Sequence, residues 1–232
     1  MIRIHCLKSD GVLRDDLTPQ DIPTVLSTPG SMLWVDFVGE TPEVCEPILH
    51  DVFGFHPLAV DDALRESHVP KVDDWDDYLY IVLHDIGFNQ ASLEVETFEL
   101  DVFLGDNYIV THHDFPIASL DRAWAVCGRD ERNCKKGPDH VLYRITDELT
   151  ADYMAAIEEI DDQIELLENE VFSKPQPSIA QRIFTLKRAT LHLRRVMSPL
   201  REVLNRLARD DYAMIDQCDQ VYFRDVYDHL VR

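Results

Sequence analysis

Carboxylates are the side chains in this sequence whose type and spacing could do chemistry. They recur as adjacent pairs: Asp15-Asp16, Asp61-Asp62, Asp73-Asp74, Asp76-Asp77, Glu158-Glu159, Asp161-Asp162 and Asp210-Asp211. Neighbouring acids offer oxygen donors, the ligands that hard divalent cations take. The chain carries 44 Asp and Glu against 22 Lys and Arg, a formal net charge of −22 over 232 residues. That balance repels nucleic acid and anionic lipid and attracts cations. The same acids can also do nothing more than face water, so flanking sequence has to separate the two readings.

Other chemistries find little material. No nucleophile elbow or phosphate-cradling glycine loop occurs, and only 8 glycines are available to build one. The five cysteines form no Cys-x-x-Cys, which fits a reducing compartment and no disulfide framework. Cys127 and Cys134, with His140, match no usual zinc-ligand spacing. His50-Asp51, His84-Asp85 and His113-Asp114 resemble the dipeptide of metal-dependent phosphohydrolases, a chemistry that needs a helix in an all-helical setting. His84-Asp85 instead lies in a β-like run, so no enzyme is expected. His112-His113-Asp114 reads as an exposed strand end. No stretch approaches the roughly 20 apolar residues that span a bilayer. Met1 to Cys6 alternates like a strand and has no signal-peptide core, so the chain is expected to be cytoplasmic.

The elements that must position these acids fall into two halves. Leu33 to Phe37 reads as a buried strand. Thr41 can cap a helix that opens on Pro42 and stops near Gly54, and a second short helix runs from Pro57 to about Glu66. Lys71 to Trp75, Tyr78 to Phe88, Glu94 to Leu104 and Tyr108 to His112 read as strands, with Gly105-Asp106-Asn107 as a hairpin turn. The aromatic run Trp75 to Tyr80 reads as core packing. Ala118 to Cys127 is predicted helical and Gly128 to Gly137 a loop. The pattern predicts an α/β/α sandwich with a mixed sheet over residues 1–137.

Beyond it, apolar residues step by three and four along Asp139 to Val171 and again along Ser178 to Arg209, with Ser173-Lys174-Pro175-Gln176-Pro177 between them. This predicts a long antiparallel helical hairpin over 138–209, each arm roughly 50 Å long. Eleven acids and one base lie between Asp139 and Val171; nine bases and one acid lie between Lys174 and Arg209. The flanks are expected to complement one another while the apolar seam holds the pair, since surface ion pairs contribute only a few tenths of a kcal/mol each. A third helix begins near Ile215, after a break at Asp210-Asp211. Its pattern reaches Arg232 without a stop signal, and the natural chain is expected to continue.

Three segments carry a resemblance. Phe53-Gly-Phe-His-Pro-Leu-Ala-Val-Asp-Asp-Ala-Leu64 and Val69-Pro-Lys-Val-Asp-Asp-Trp-Asp-Asp-Tyr-Leu-Tyr-Ile-Val-Leu83 resemble the cytoplasmic domain of CorA-type magnesium channels. Tyr222-Phe-Arg-Asp-Val-Tyr-Asp-His229 resembles the start of that family's stalk helix. Ile160 to Glu168 and Pro199 to Leu204 fit its hairpin. The resemblance runs from about Leu33 onward and departs at Ser67-His68-Val69-Pro70, where relatives often carry Gln-Arg before Pro-Lys. It implies a homopentameric divalent-cation channel, of which residues 210–232 begin the stalk. The family's Gly-Met-Asn signature and its two membrane helices are absent from this sequence.

The same resemblance implies regulatory Mg2+ held between protomers, with Co2+ or Ni2+ as further transported ions. Asp62 matches the principal inter-subunit acid, whose partner would lie beyond Arg232. Asp61, Asp147 and Asp225 match a second site. A zinc transporter of the ZntB type and a soluble helical scaffold without a cation role are the competing readings.

Overall fold

The computed structural model describes residues 1–65, 67–173 and 176–231, residue 177 by its backbone. Glu66, the Lys174-Pro175 part of the expected helix break and Arg232 lie outside the described residues. Strands β1 (Ile2–Leu7) and β2 (Leu13–Arg14) precede a turn of 3-10 helix and helix α1 (Ile22–Leu26). Strand β3 (Met32–Val38) leads to α2 (Pro42–Pro47), a π-helical turn (Ile48–Val52) and α3 (Pro57–Arg65). Then come β4 (Lys71–Asp74), β5 (Leu79–Asn89), β6 (Glu94–Leu104) and β7 (Tyr108–His113). Helices α4 (Ala118–Arg129), α5 (Arg132–Lys135), α6 (Pro138–Ser173), α7 (Pro177–Arg209) and α8 (Gln217–Val231) complete the chain.

The strands form one seven-stranded sheet in the order β2-β1-β3-β7-β6-β5-β4. Among the described residues, only β3 and β7 run parallel; the other pairs are antiparallel. The expected α/β/α sandwich is what the residues build. Side chains alternate across the strands, so Trp34, Ile81 and Val102 face α4, α6, α7 and α8. Leu33, Val35, Phe37, Tyr80 and Phe103 face α1, α2 and α3. Strand β3 is apolar almost throughout because both of its faces are covered.

Two expectations are corrected. The single helix expected from Thr41 to Gly54 breaks at Pro47, which has no N–H to donate and whose ring crowds the preceding turn. The chain continues as a wider π turn and stops at Gly54, with φ of 75°. The expected loop Gly128 to Gly137 contains the end of α4 and all of α5. Strand β2 and helix α1 carried too few periodic residues to be read.

The hairpin is built as expected, with 36 residues in α6 and 33 in α7. Its near half is part of the main core: Leu142, Ile145, Leu149, Tyr153, Leu200 and Leu204 pack with the sheet. Tyr153 donates its hydroxyl to the His84 carbonyl at 3.1 Å, tying α6 to β5. Helix α8 runs parallel to α6, since His140 meets Asp219 at 2.6 Å and Tyr143 stacks on Tyr222 at 4.9 Å.

Candidate functional site

The first acid pair lies on α3, whose Ala59, Val60 and Ala63 are buried against the sheet and turn Asp61 and Asp62 to the rim. Asp61 accepts from Arg65 one turn on at 2.7 Å, and Arg65 also holds Glu46 at 2.6 Å. Asp62 accepts from Lys71 at the start of β4 at 2.7 Å, with His68 Nε2 at 3.5 Å. Burial pulls the Lys71 ammonium down, but its bonds to Asp62 and Asp73 outweigh that and raise its pKa. Each α3 acid therefore has a cationic partner within its own chain. Successive residues on a helix point about 100° apart, so the pair fans out and does not converge on one point.

The second group stands on the opposite face of the sheet, where α6 and α8 run side by side. Asp147 is half-buried and bonds Arg144 at 3.0 Å. Burial raises its carboxyl pKa, and the charges of Glu148 and Asp225 add to the rise, against Arg144 and His229. Asp225 is exposed and has no ion-pair partner among the described residues. The structure thus brings Asp147 and Asp225 into one electrostatic neighbourhood and leaves Asp61 and Asp62 across the sheet. Among the described residues, no group of three or more His, Cys, Asp or Glu could hold a metal ion. These are hard oxygen donors that fit Mg2+ by type, but one chain supplies only part of a coordination shell.

Sequence reasoning missed the buried polar groups beneath the sheet's end. His112 and His113, expected to be exposed, are buried because β7 is a central strand. Asp36 on β3 accepts from Arg3 at 2.8 Å and from Thr111 at 2.6 Å, with His113 Nε2 at 3.2 Å. Burial opposes its ionisation, yet His113, Arg3 and Thr111 hold its pKa below the ordinary carboxylate value. Tyr80 donates to buried Asp101 at 2.7 Å. Asp85 on β5 is buried between sheet and helices, and desolvation, aided by the charge of Asp152, pushes its pKa up to about 7. An acid in an otherwise largely apolar strand was the available signal for Asp36 and Asp85.

Three layers carrying a long hairpin and a parallel third helix define the class of protein. This is the architecture of the soluble domain of CorA from Methanocaldococcus jannaschii, with a TM-score of 0.81 at 19% identity, covering 100% of this chain and 88% of that one. The ZntB cytoplasmic domain from Vibrio parahaemolyticus is also similar, at 0.72 and 13%, with coverage of 100% and 88%. Identities this low show the fold alone. Residues 29–232 match the family described as CorA-like Mg2+ transporter protein, and the chain belongs to that family. It is 33% identical over 219 residues to the Cobalt/magnesium transport protein CorA of Thermotoga maritima, across 91% of this chain and 61% of that protein. The chain therefore spans about 61% of the length of these curated relatives.

Proposed function

We propose that this chain is the cytoplasmic, Mg2+-sensing and gating portion of a CorA-like divalent-cation channel that works as a homopentamer. In this reading residues 1–137 form the base, the hairpin 138–209 the lever and residues 210–232 the start of the stalk. Membrane contact would come only through segments outside this sequence, and the transported ion would be Mg2+, with Co2+ or Ni2+ as further cargo. The observation that carries the reading is the nearness of Asp147 and Asp225 between lever and stalk, where Arg144 pairs with Asp147 and Asp225 has no ion-pair partner among the described residues, which by themselves complete no metal site.

Asp61 of one protomer, with Asp147 and Asp225 at the stalk of its neighbour, would hold one regulatory ion, and Asp62 would hold another with a stalk acid outside this sequence. Bound Mg2+ supplies two positive charges and keeps part of its water shell, so one or two carboxylates from each side suffice. Without that charge, two carboxylates about 6 Å apart repel by roughly 3 kcal/mol at an effective dielectric of about 20. Repeated around a ring, part of that repulsion is enough to shift a closed/open equilibrium. Lys71 moderates the effect at Asp62, and Arg144 does so at Asp147.

One observation favours the zinc reading instead: His68 stands 3.5 Å from Asp62 and His84 3.6 Å from Glu99, and imidazole nitrogen suits zinc better than magnesium. Limited proteolysis of the full-length channel separates these views. Millimolar Mg2+ should slow cleavage, and Asp62→Ala or Asp147→Ala/Asp225→Ala should abolish the protection. Protection by micromolar Zn2+ but not by Mg2+ would favour the zinc transporter. Equal cleavage with every ion and with EDTA would leave the scaffold reading.

A further inference from the structure

The hairpin's charges do not pair as expected. Across the hairpin the ion pair is Arg182 to Glu170 at 2.6 Å; the remaining acids of α6 beyond Asp152 and the bases Lys187, Arg188, Arg194 and Arg195 have no ion-pair partner among the described residues. Helix geometry explains why. Toward the tip, Ile160 and Leu167 of α6 and Leu186, Ala189 and Leu193 of α7 are buried in the seam. The next residue along each helix, among them Asp161, Glu168, Lys187, Thr190 and Arg194, lines open grooves of about 330 and 460 Å3 between the arms. A further 100° round, the side chains leave the hairpin altogether.

Because the two seams face each other, those outermost residues point in opposite directions. On α6 they are Glu158, Asp162 and Glu165, with Leu166 and Phe172 exposed at 52% and 89%. On α7 they are Phe184, Arg188, Leu191 and Arg195, the two apolar ones exposed at 62% and 45%. The hairpin is a slab with one acidic, partly apolar edge and one basic, partly apolar edge. The basic edge is about 16 Å long at 1.5 Å per residue, and the acidic one is comparable.

We propose that this slab is a docking surface for a second copy of the chain, the basic edge of α7 in one copy packing along the acidic edge of α6 in the next. Charge complementarity fixes the occupant. On a chain of net charge −22, a basic ridge flanked by exposed Phe and Leu is out of character unless an acidic partner covers it, and the chain's own α6 edge has the matching length and spacing. An isolated anionic membrane would meet the repulsion of the rest of the molecule. A contact between two different patches is head-to-tail, and it closes into a ring when the rotation per copy allows. Each joint is small, which suits an assembly in which every copy makes two of them.

Sedimentation of this chain in EDTA tests the inference apart from the cation reading. Self-association is expected at low salt and should weaken at about 1 M salt, where the Debye length falls to about 3 Å. Arg188→Glu/Arg195→Glu and Asp162→Lys/Glu165→Lys should each weaken it by about tenfold or more while leaving circular dichroism and melting unchanged. The two variants mixed should associate again, because each then meets its opposite, and the fourfold variant should recover by itself. Monomers at every salt concentration, variants that associate like the parent chain, or a mixture that stays monomeric would each overturn the proposal. So would a parent chain that floats with phosphatidylserine vesicles through Arg188 and Arg195 and does not self-associate.

Discussion

Asp85 makes the stability of this protein depend on pH in a direction that can be worked out. Its carboxyl sits under α4 and α6, 4% exposed, accepting the Ile86 N–H at 2.9 Å. Burial and the neighbouring Asp152 lift its pKa from 3.8 to about 7, against Ser119 and Arg122. The folded value lies above the unfolded one, so the folded chain binds the extra proton between the two. Stability attributable to this group is therefore full below about pH 4, falls as pH rises toward 7, and stays lost above it. At about 1.4 kcal/mol per pH unit, the step amounts to about 4 kcal/mol, an order-of-magnitude ceiling. Asp85→Asn keeps an oxygen acceptor for Ile86 and cannot ionise. Urea unfolding at pH 8 should show the variant more stable than the parent by a few kcal/mol, with the difference shrinking toward pH 5.5. Parallel stability curves for the two proteins across that range would refute the argument. So would a destabilised variant at pH 8, because then the ionised carboxylate would be supporting the fold.

Two further substitutions probe how the sheet is held. Asp36→Ala takes this acceptor from buried Thr111 and His113 and leaves half-buried Arg3 with Asp121 alone, and should cost about 3–5 kcal/mol in urea unfolding, where a loss under about 1 kcal/mol would show the network to be dispensable. Gly105→Ala would place a Cβ 2.3 Å from the Tyr108 ring, which Phe53 and Phe55 confine at 5.2 and 5.9 Å. The ring has to move, so a penalty of about 1–3 kcal/mol is expected as a fall in melting temperature, and an unchanged melt would mean that the hairpin turn relaxes freely.

The fold was legible where a period was strong. The apolar run of β5 and the steps of three and four through α6 and α7 each had one solution, and their ends were placed within a few residues. What stayed hidden depended on contacts far apart in sequence. Nothing local marks Asp36 as the acceptor for Arg3 and Thr111, and His113 looks like a strand end until β7 is seen between β3 and β6. Pro47 was visible, but the π turn it forces was not. The acids Asp61, Asp62, Asp147 and Asp225 were chosen by resemblance, and the fold sorts them onto two faces of the sheet, a separation that no spacing rule reveals.

That separation constrains any mechanism. A cation that joined Asp61 or Asp62 to Asp147 or Asp225 within one protomer would have to cross the sheet, which its packed core forbids. The same acids can meet only between copies, with the α3 face of one set against the α6–α8 face of the next. The hairpin edges impose the same polarity, since acidic α6 and basic α7 also match only head to tail. If both contacts form in one assembly, a single rotation must satisfy them together. Weakening the α7 edge with Arg188→Glu/Arg195→Glu should then lower magnesium protection of the full-length channel too, although neither residue is near a carboxylate of the proposed ion site.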